Sequence, residues 1–248
     1  MINLMRGDCL ELMRSIEDKS IDMILCDLPY GCTQNRWDEK LSFEDLWGHY
    51  ERIIKDNTPI ILFSQGFFTA EMMISNKKMW RYNLVWNKIN PSGHLNANRM
   101  PLRSHEDICI FYKKLPYYNP QKTFGKKNHS KGKGILNTNN NYGNFAFVDN
   151  TDVLGNLKHP KSILSFKKPA PSNRIHPTEK PVPLLEYLIN TYSQEGSLIL
   201  DNCMGSGSTG VACLNTKRRF IGIEKHKKYF DIAVSRIRKN KTQLKLFK

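Results

Sequence analysis

Between residues 197 and 224 the chain reads as a strand, a glycine-rich turn, a helix and a second strand ending on an acid. The first strand, at 197–201, closes on Asp201, the turn takes 202–207, the helix 208–216 and the second strand 219–224. Gly205, Gly207 and Gly210 satisfy the G-x-G-x-x-G spacing, and Glu224 follows about twenty residues on. A unit of this kind buries its strands only in a parallel sheet covered by helices, which commits the chain to an α/β fold. The glycines let backbone approach a ligand closely, and the terminal acid can accept hydrogen bonds from both hydroxyls of a ribose. A nucleotide-type ligand is therefore expected.

Two features weigh against a dinucleotide. The sequence ends at Lys248, 38 residues after Gly210, which leaves little room for the further β-α units such a fold places behind its glycine turn. Asp201 also precedes the turn, where it suits a cationic or amino-bearing ligand better than a pyrophosphate. S-adenosylmethionine carries adenine, ribose and an ammonium group but no phosphate, and matches these needs. An NAD-dependent oxidoreductase built on the same glycines stays open as an alternative of another class.

The N-terminal part alternates in the same way. A helix is predicted over 9–17, a strand over 21–26, a helix over 42–55 opened by Ser42 as its cap, a strand over 59–63 and a helix over 69–77. Strands at 81–87 and 107–112 follow, and helices at 183–192 and 226–240 complete the regular structure. The strand at 21–26 runs directly into Asp27-Leu28-Pro29-Tyr30-Gly31. Ligands in open α/β sheets bind outside the carboxyl ends of strands, so an acid, a rigid proline and an aromatic ring placed there can grip a flat nitrogen base. The carboxylate and a backbone carbonyl accept hydrogen bonds from an amino group while the ring stacks on the base. A plain proline turn with a half-buried tyrosine fits the same residues.

Net charge is +15, and its placement narrows the partner. From Lys113 to Lys180 the chain carries thirteen Lys and Arg against Asp149, Asp152 and Glu179, so this stretch holds +10 of the total. A localised positive field suits a polyanion such as nucleic acid, although soluble loops are also rich in lysine. Residues 113–175 are otherwise rich in Asn, Gly and Pro with little periodicity, including the run from Asn137 to Asn141. The six cysteines form no C-x-x-C pair and no zinc-spaced cluster. With no signal-peptide pattern at the N-terminus and no apolar run of membrane-span length, a reducing cytosol is expected and a membrane is not.

Taken together, these segments resemble the S-adenosylmethionine-dependent DNA amino-methyltransferases of the permuted β class. Asp27-Leu28-Pro29-Tyr30 resembles the catalytic D-P-P-Y tetrapeptide, and residues 201–210 resemble the cofactor loop. His176-Pro-Thr178-Glu-Lys180-Pro is similar to the H-P-T-x-K-P element before that loop, Gly7-Asp8-Cys9 to the N-terminal G-D segment whose acid faces the cofactor adenine, and Ser104-His-Glu-Asp to the segment before the last strand of the catalytic half. Leu28 replaces the usual first proline, and Asn202 and Cys203 stand where Pro and Phe are commoner.

The resemblance implies a seven-stranded, mostly parallel sheet with helices on both faces and one antiparallel hairpin, a circularly permuted Rossmann-like methyltransferase fold. It divides the chain into a catalytic half (1–112), a basic target-recognition insert (113–175) and a cofactor-binding half (176–248). Asp27, Pro29 and Tyr30 are the implied catalytic residues. The implied cofactor contacts are Asp8, Cys9 and Asp27; His176, Thr178 and Lys180; Asp201 and Met204 to Thr209, that is Gly205, Ser206, Gly207 and Ser208 between them; and Glu224 with Lys225.

No metal is implied. The implied reaction is direct methyl transfer to an exocyclic amino group of a base flipped out of DNA. Cytosine C5 chemistry is disfavoured, because no Pro-Cys dipeptide occurs. Asp at the first tetrapeptide position associates with adenine N6 within the family, and cytosine N4 is the alternative. An RNA or protein amide methyltransferase and a non-catalytic nucleic-acid-binding protein are further readings. Besides DNA, a cognate restriction endonuclease and a second copy of the chain are partners that the resemblance admits.

Overall fold

The computed structural model describes residues 1–31, 40–126, 156–169 and 179–246. They form two compact units, one of residues Met1–Asn119 with Ser162–Lys248 and one of Pro120–Lys161. Within the second unit the described elements are two short antiparallel strands, β6 (Thr123–Phe124) and β7 (Leu157–Lys158). The main sheet and the cavity lie in the first unit.

Its sheet has eight strands. In chain order these are β1 (Ile2–Arg6), β2 (Met23–Cys26), β3 (Ile60–Ser64), β4 (Trp80–Ser92), β5 (Arg103–Phe111), β8 (Ile163–Ser165), β9 (Leu198–Asp201) and β10 (Arg219–Glu224). The spatial order is β1-β10-β9-β2-β3-β5-β4-β8. All neighbours run parallel except at β5, which is antiparallel to both β3 and β4. The mostly parallel sheet and its hairpin match the expectation, and β8 adds one short strand beyond the expected seven. Sequence reading passed over β8 because three residues within a polar stretch carry no periodicity.

The central strands β2, β3 and β9 are buried along their whole length. Strands covered by helices on both faces need continuous apolar sequence, and these have it. Alternate residues enter two separate cores. Ile24, Cys26, Ile60, Leu62, Leu198 and Leu200 face a cluster with α1 (Cys9–Leu12), α2 (Phe43–Ile53) and α3 (Phe67–Ser75). Met23, Leu25, Ile61, Phe63 and Ile199 face the other cluster, with α4 (Val182–Tyr192), α5 (Ser208–Asn215) and α6 (Lys227–Leu246). Helices preceding residue 80 thus cover one face and helices following residue 180 the other. A one-residue slip of any central strand would exchange these faces, which fixes the register.

Several boundaries differ from the sequence reading. The predicted helix at 9–17 is the four-residue α1 followed by a 3-10 turn through Ser15. Ser42 caps α2 as expected, its hydroxyl accepting from the Asp45 amide at 3.3 Å. Strand β1 was not anticipated; its pattern of partial burial reflects an edge position beside β10. No helix among the described residues is long and apolar enough to cross a membrane.

β9 and β2 lie side by side, with Ile24 opposite Leu200. From β9 the chain crosses to β10 on one side, and from β2 it crosses to β3 on the other. The strand order therefore reverses between β2 and β9, and the carboxyl ends of such neighbours frame a crevice.

Candidate active site

Asp27 follows the last residue of β2 and Asp201 ends β9, so the fold places the two acids on either side of that crevice. A cavity of about 650 Å³ opens there, and both halves of the sequence line it. Its volume suits a nucleoside-sized ligand with room for a second ring system.

On the β2 side, Asp27, Leu28, Pro29 and Tyr30 line the cavity. The Tyr30 hydroxyl donates to Asp27 Oδ1 at 2.9 Å, and its ring stacks on Phe68 with centroids 4.8 Å apart. Asp27 Oδ2 accepts from the Lys180 ammonium, which arrives just ahead of α4. Lys180 Nζ also lies 3.3 Å from Glu106 Oε2 on β5, and Lys88 Nζ on β4 lies 2.8 Å from Glu106 Oε1. Four charges thus alternate in sign: the half-buried Asp27 and the buried Lys180, Glu106 and Lys88. Alternation is what makes the burial tolerable, since each ion has an opposite neighbour. Desolvation raises the Asp27 pKa, and the Lys180 charge opposes that rise. Burial would also raise Glu106, but Lys180 and Lys88 outweigh it and hold its carboxyl low. For Lys180 burial acts downward, and Asp27 with Glu106 more than reverses it.

On the glycine-loop side, Asp201, Met204, Gly205, Ser206, Ser208 and Thr209 line the cavity. Both oxygens of Asp201 are engaged within the loop, Oδ2 by the Thr209 hydroxyl at 2.6 Å and Oδ1 by the Cys203 amide at 3.1 Å. Asp201 therefore braces the turn as well as facing the ligand space. Burial pushes its pKa up to about 6, against the hydrogen bonds from Thr209 and Cys203. Glu224 accepts from the Gly205 amide at 3.0 Å and the His226 amide at 2.7 Å, which fixes its carboxylate at the cavity edge. A carboxylate so held keeps lone pairs for further donors. Burial raises the Glu224 pKa, partly offset by the His226 and Gly205 amides.

Asp8 caps α1 through the Leu10 amide at 2.9 Å and lies 3.2 Å from Lys225 Nζ. Asp8, Cys9 and Lys225 all line the cavity. Three acids gathered here, with Lys225 already paired to one of them, fit a ribose and an ammonium group better than a pyrophosphate. The residues present thus suit S-adenosylmethionine.

Gly207 is placed differently from the expectation. It does not line the cavity; it caps α5 at φ +79°, and a Cβ there would sit 3.0 Å from Ala233 Cβ and 3.2 Å from Ala233 Cα on α6. Its lack of a side chain serves helix packing. Gly210 does the same, because a Cβ would fall 2.4 Å from Ile237 Cδ1. His176 and Thr178 lie outside the described residues.

Other contributors carried weaker sequence signals. Lys88 and Glu106 line the cavity; Lys88 stands in the polar end of β4, beside Asn87 and Asn90, so no local signal marked it as a buried charge. Arg236 on α6 had no local signal. Its guanidinium pairs with Glu179 at 2.6 Å and donates to Ser206 and Ser208 hydroxyls at 3.2 and 3.0 Å, tying the residue next to Lys180 to the glycine loop. Asn202, unusual at its position, is buried and accepts from the Tyr50 hydroxyl at 2.6 Å. Cys203 touches both Cys9 and Cys26; contact with Cys203 raises the Cys9 pKa most, and burial raises that of Cys26 to about 12. Such thiols are inert packing groups. No cluster of metal-ligating side chains occurs among the described residues.

The sequence matches the DNA methylase family over residues 21–235. The Type II methyltransferase M.HinfI of Haemophilus influenzae is 26% identical over 266 residues, an alignment covering 96% of this chain and 68% of that protein. Among solved structures, M1.HpyAVI in complex with SAM superposes with a TM-score of 0.65 at 23% identity, covering 96% of this chain and 99% of that one. The cytosine-N4-specific PvuII DNA methyltransferase gives 0.68 at 15% identity, with coverage of 95% and 86%. These two structures share the fold.

Proposed function

The chain belongs to the DNA methylase family, and from that membership we propose that it methylates the N6 amino group of adenine in DNA. S-adenosylmethionine is the cofactor and supplies, when bound, a methyl group made electrophilic by its sulfonium. The observation that carries the reading is the shared cavity: the Asp27–Tyr30 segment and the Gly205–Glu224 ligand set open onto one space at the point of strand reversal.

Asp8 and Glu224 are positioned to hold the nucleoside, and Asp201 and the backbone at Gly205 and Ser206 the amino-acid end. Asp27 and the Pro29 carbonyl accept the two hydrogens of the target amino group. That draws electron density onto a nitrogen whose lone pair is otherwise delocalised into the ring, and it orients the nitrogen for in-line attack. Tyr30 stacks on the extruded base. Transfer leaves an additional proton on nitrogen, and Asp27, with its carboxylate pKa raised by burial, is placed to take it. Residues 113–175 act as the target-recognition insert, with lysines gripping phosphate and polar side chains reading base edges. A restriction endonuclease of the same specificity is the natural counterpart of a modification enzyme of this kind.

Adenine rests on Asp27 at the first tetrapeptide position. The test is incubation of the purified chain with DNA and isotopically labelled S-adenosylmethionine, followed by digestion to nucleosides and mass spectrometry. Label in N6-methyladenosine is expected. Label in N4-methylcytidine overturns the adenine assignment while keeping the amino-methyltransferase reading; no label overturns both.

A further inference from the structure

The alternating charges around Asp27 raise a problem that the proposed chemistry must solve. Both carboxylate oxygens of Asp27 are already engaged, Oδ1 by the Tyr30 hydroxyl and Oδ2 by the Lys180 ammonium. An entering amino group needs one of them. Tyr30 is tied by its ring to Phe68, with centroids 4.8 Å apart, so moving its oxygen away from Asp27 costs that stacking. Lys180 sits on a flexible stem and has somewhere else to go.

That alternative is Glu106. Its Oε2 is buried and forms no hydrogen bond, yet lies 3.3 Å from Lys180 Nζ. A buried acceptor of this kind is costly to leave unmade, and a shift of the ammonium by well under one C–C bond length would complete the bond. The other oxygen, Oε1, is held by Lys88, whose side chain is 2% exposed, so the carboxylate cannot turn away. The Phe63 ring lies 5.0 Å from Lys180 Nζ and offers its face to the ammonium.

We propose that Glu106, fixed by Lys88, is a second berth for the Lys180 ammonium, and that Lys180 moves from Asp27 onto Glu106 when the target amino group enters. Glu106 and Lys88 are then positioning residues for the methyl transfer, acting through Lys180. The proposal rests on the amino-methyltransferase reading above. The move keeps every buried ion beside an opposite charge, and Lys180 remains near enough to hold Asp27 ionised. Without Glu106, freeing Asp27 would strand an ammonium in a low-dielectric site.

The direct test is a structure of the wild-type protein with S-adenosylhomocysteine and target DNA. Lys180 Nζ on Glu106 and off Asp27 supports the proposal; Lys180 still on Asp27 with the base in place overturns it. The second test is Glu106→Gln, which keeps shape but removes the charge that attracts Lys180. The kcat is expected to fall about 30-fold while S-adenosylhomocysteine affinity, read by calorimetry, stays within about threefold.

The pH profile separates positioning from mere structure. Asp27 is faced by Tyr30 and Lys180, by Glu106 from β5, and by Cys26 and Asp201 from β2 and β9. Of these, Glu106 raises its pKa, so Glu106→Gln shifts the acid limb of kcat to lower pH. A uniform loss of rate at every pH, with the limb unmoved, overturns the proposal. If the wild-type chain transfers no methyl group to DNA, the functional reading fails first and the inference falls with it; if it does transfer, these outcomes bear on Lys180 and Glu106 alone.

Discussion

At the scale of single residues, the proposed chemistry turns on Asp27. Asp27→Ala removes the proposed amino-group acceptor and leaves the glycine-loop ligand set intact. Methyl transfer is expected to fall by about a thousandfold or more, while S-adenosylhomocysteine binding, read by calorimetry, survives. Tyr30 divides into two functions that can be measured apart. Tyr30→Phe loses only the 2.9 Å bond to Asp27 and is expected to cost about tenfold in kcat, whereas Tyr30→Ala also loses the stacking face and costs about a hundredfold in kcat/KM for DNA.

Asp201 gives a pH signature of its own. Its pKa rises from 3.8 unfolded to about 6 folded, so between those values the unfolded chain releases the proton first and is favoured. Its contribution therefore favours the fold below about pH 4, declines as pH rises towards 6, and is constant above. Over that window Asp201 costs about 3 kcal/mol. Urea denaturation of Asp201→Asn against wild type should show the difference between them growing from pH 4 to 6 and flat beyond; a constant difference would contradict the burial argument.

At the scale of elements, α6 acts on the site from behind. Arg236 joins Glu179 to Ser206 and Ser208, and Gly207 lets α6 approach the loop. Removing Arg236 leaves the buried Glu179 uncompensated, so Arg236→Met is expected to lower unfolding free energy by about 3 kcal/mol in urea titrations, and Arg236→Met with Glu179→Met by less. Gly207→Ala meets both a positive φ and the Ala233 backbone, which cannot move aside. A cost of about 2 kcal/mol, seen as a melting point about 4–8 °C lower, follows.

This element also marks how far the sequence could be read. Strands β2, β3, β9 and β10 were legible because continuous apolar runs bounded by turn residues leave few alternatives, and Asp27 and Glu224 were legible because both end such runs. Arg236 was not, because a helix face shows polar residues whether or not one of them reaches a partner distant in sequence. The extension of β4 to Ser92 was hidden by Asn87, Lys88 and Asn90, polar residues that suit a strand only once the buried Glu106 is known to lie alongside. Gly207 and Gly210 satisfied a ligand-binding pattern that here also serves packing.

At the scale of the whole molecule, charge is unevenly placed, with +10 of the +15 between residues 113 and 180. DNA affinity should therefore fall steeply with salt. Replacing Lys122, Lys126, Lys158 and Lys161 by glutamine is expected to flatten the slope of log K against log salt by up to about 3.6, if each meets a phosphate, with S-adenosylhomocysteine binding unaffected. An unchanged slope would remove these lysines from the DNA-binding surface.

The strand order bears on how the chain is made as well as on what it binds. β1 pairs Ile2 with Phe220, and β2 lies between β3 and a β9 that begins only at Leu198. During synthesis, at about 5–20 residues per second, β1 emerges long before its partner exists, and one apolar edge of β2 stays open for a comparable time. The nascent N-terminal part is thus a template for wrong strand pairing until β9 and β10 leave the ribosome. Slow translation across the region between them would prolong that exposure, so codon choice there, with no change of amino acid, should alter the yield of folded protein.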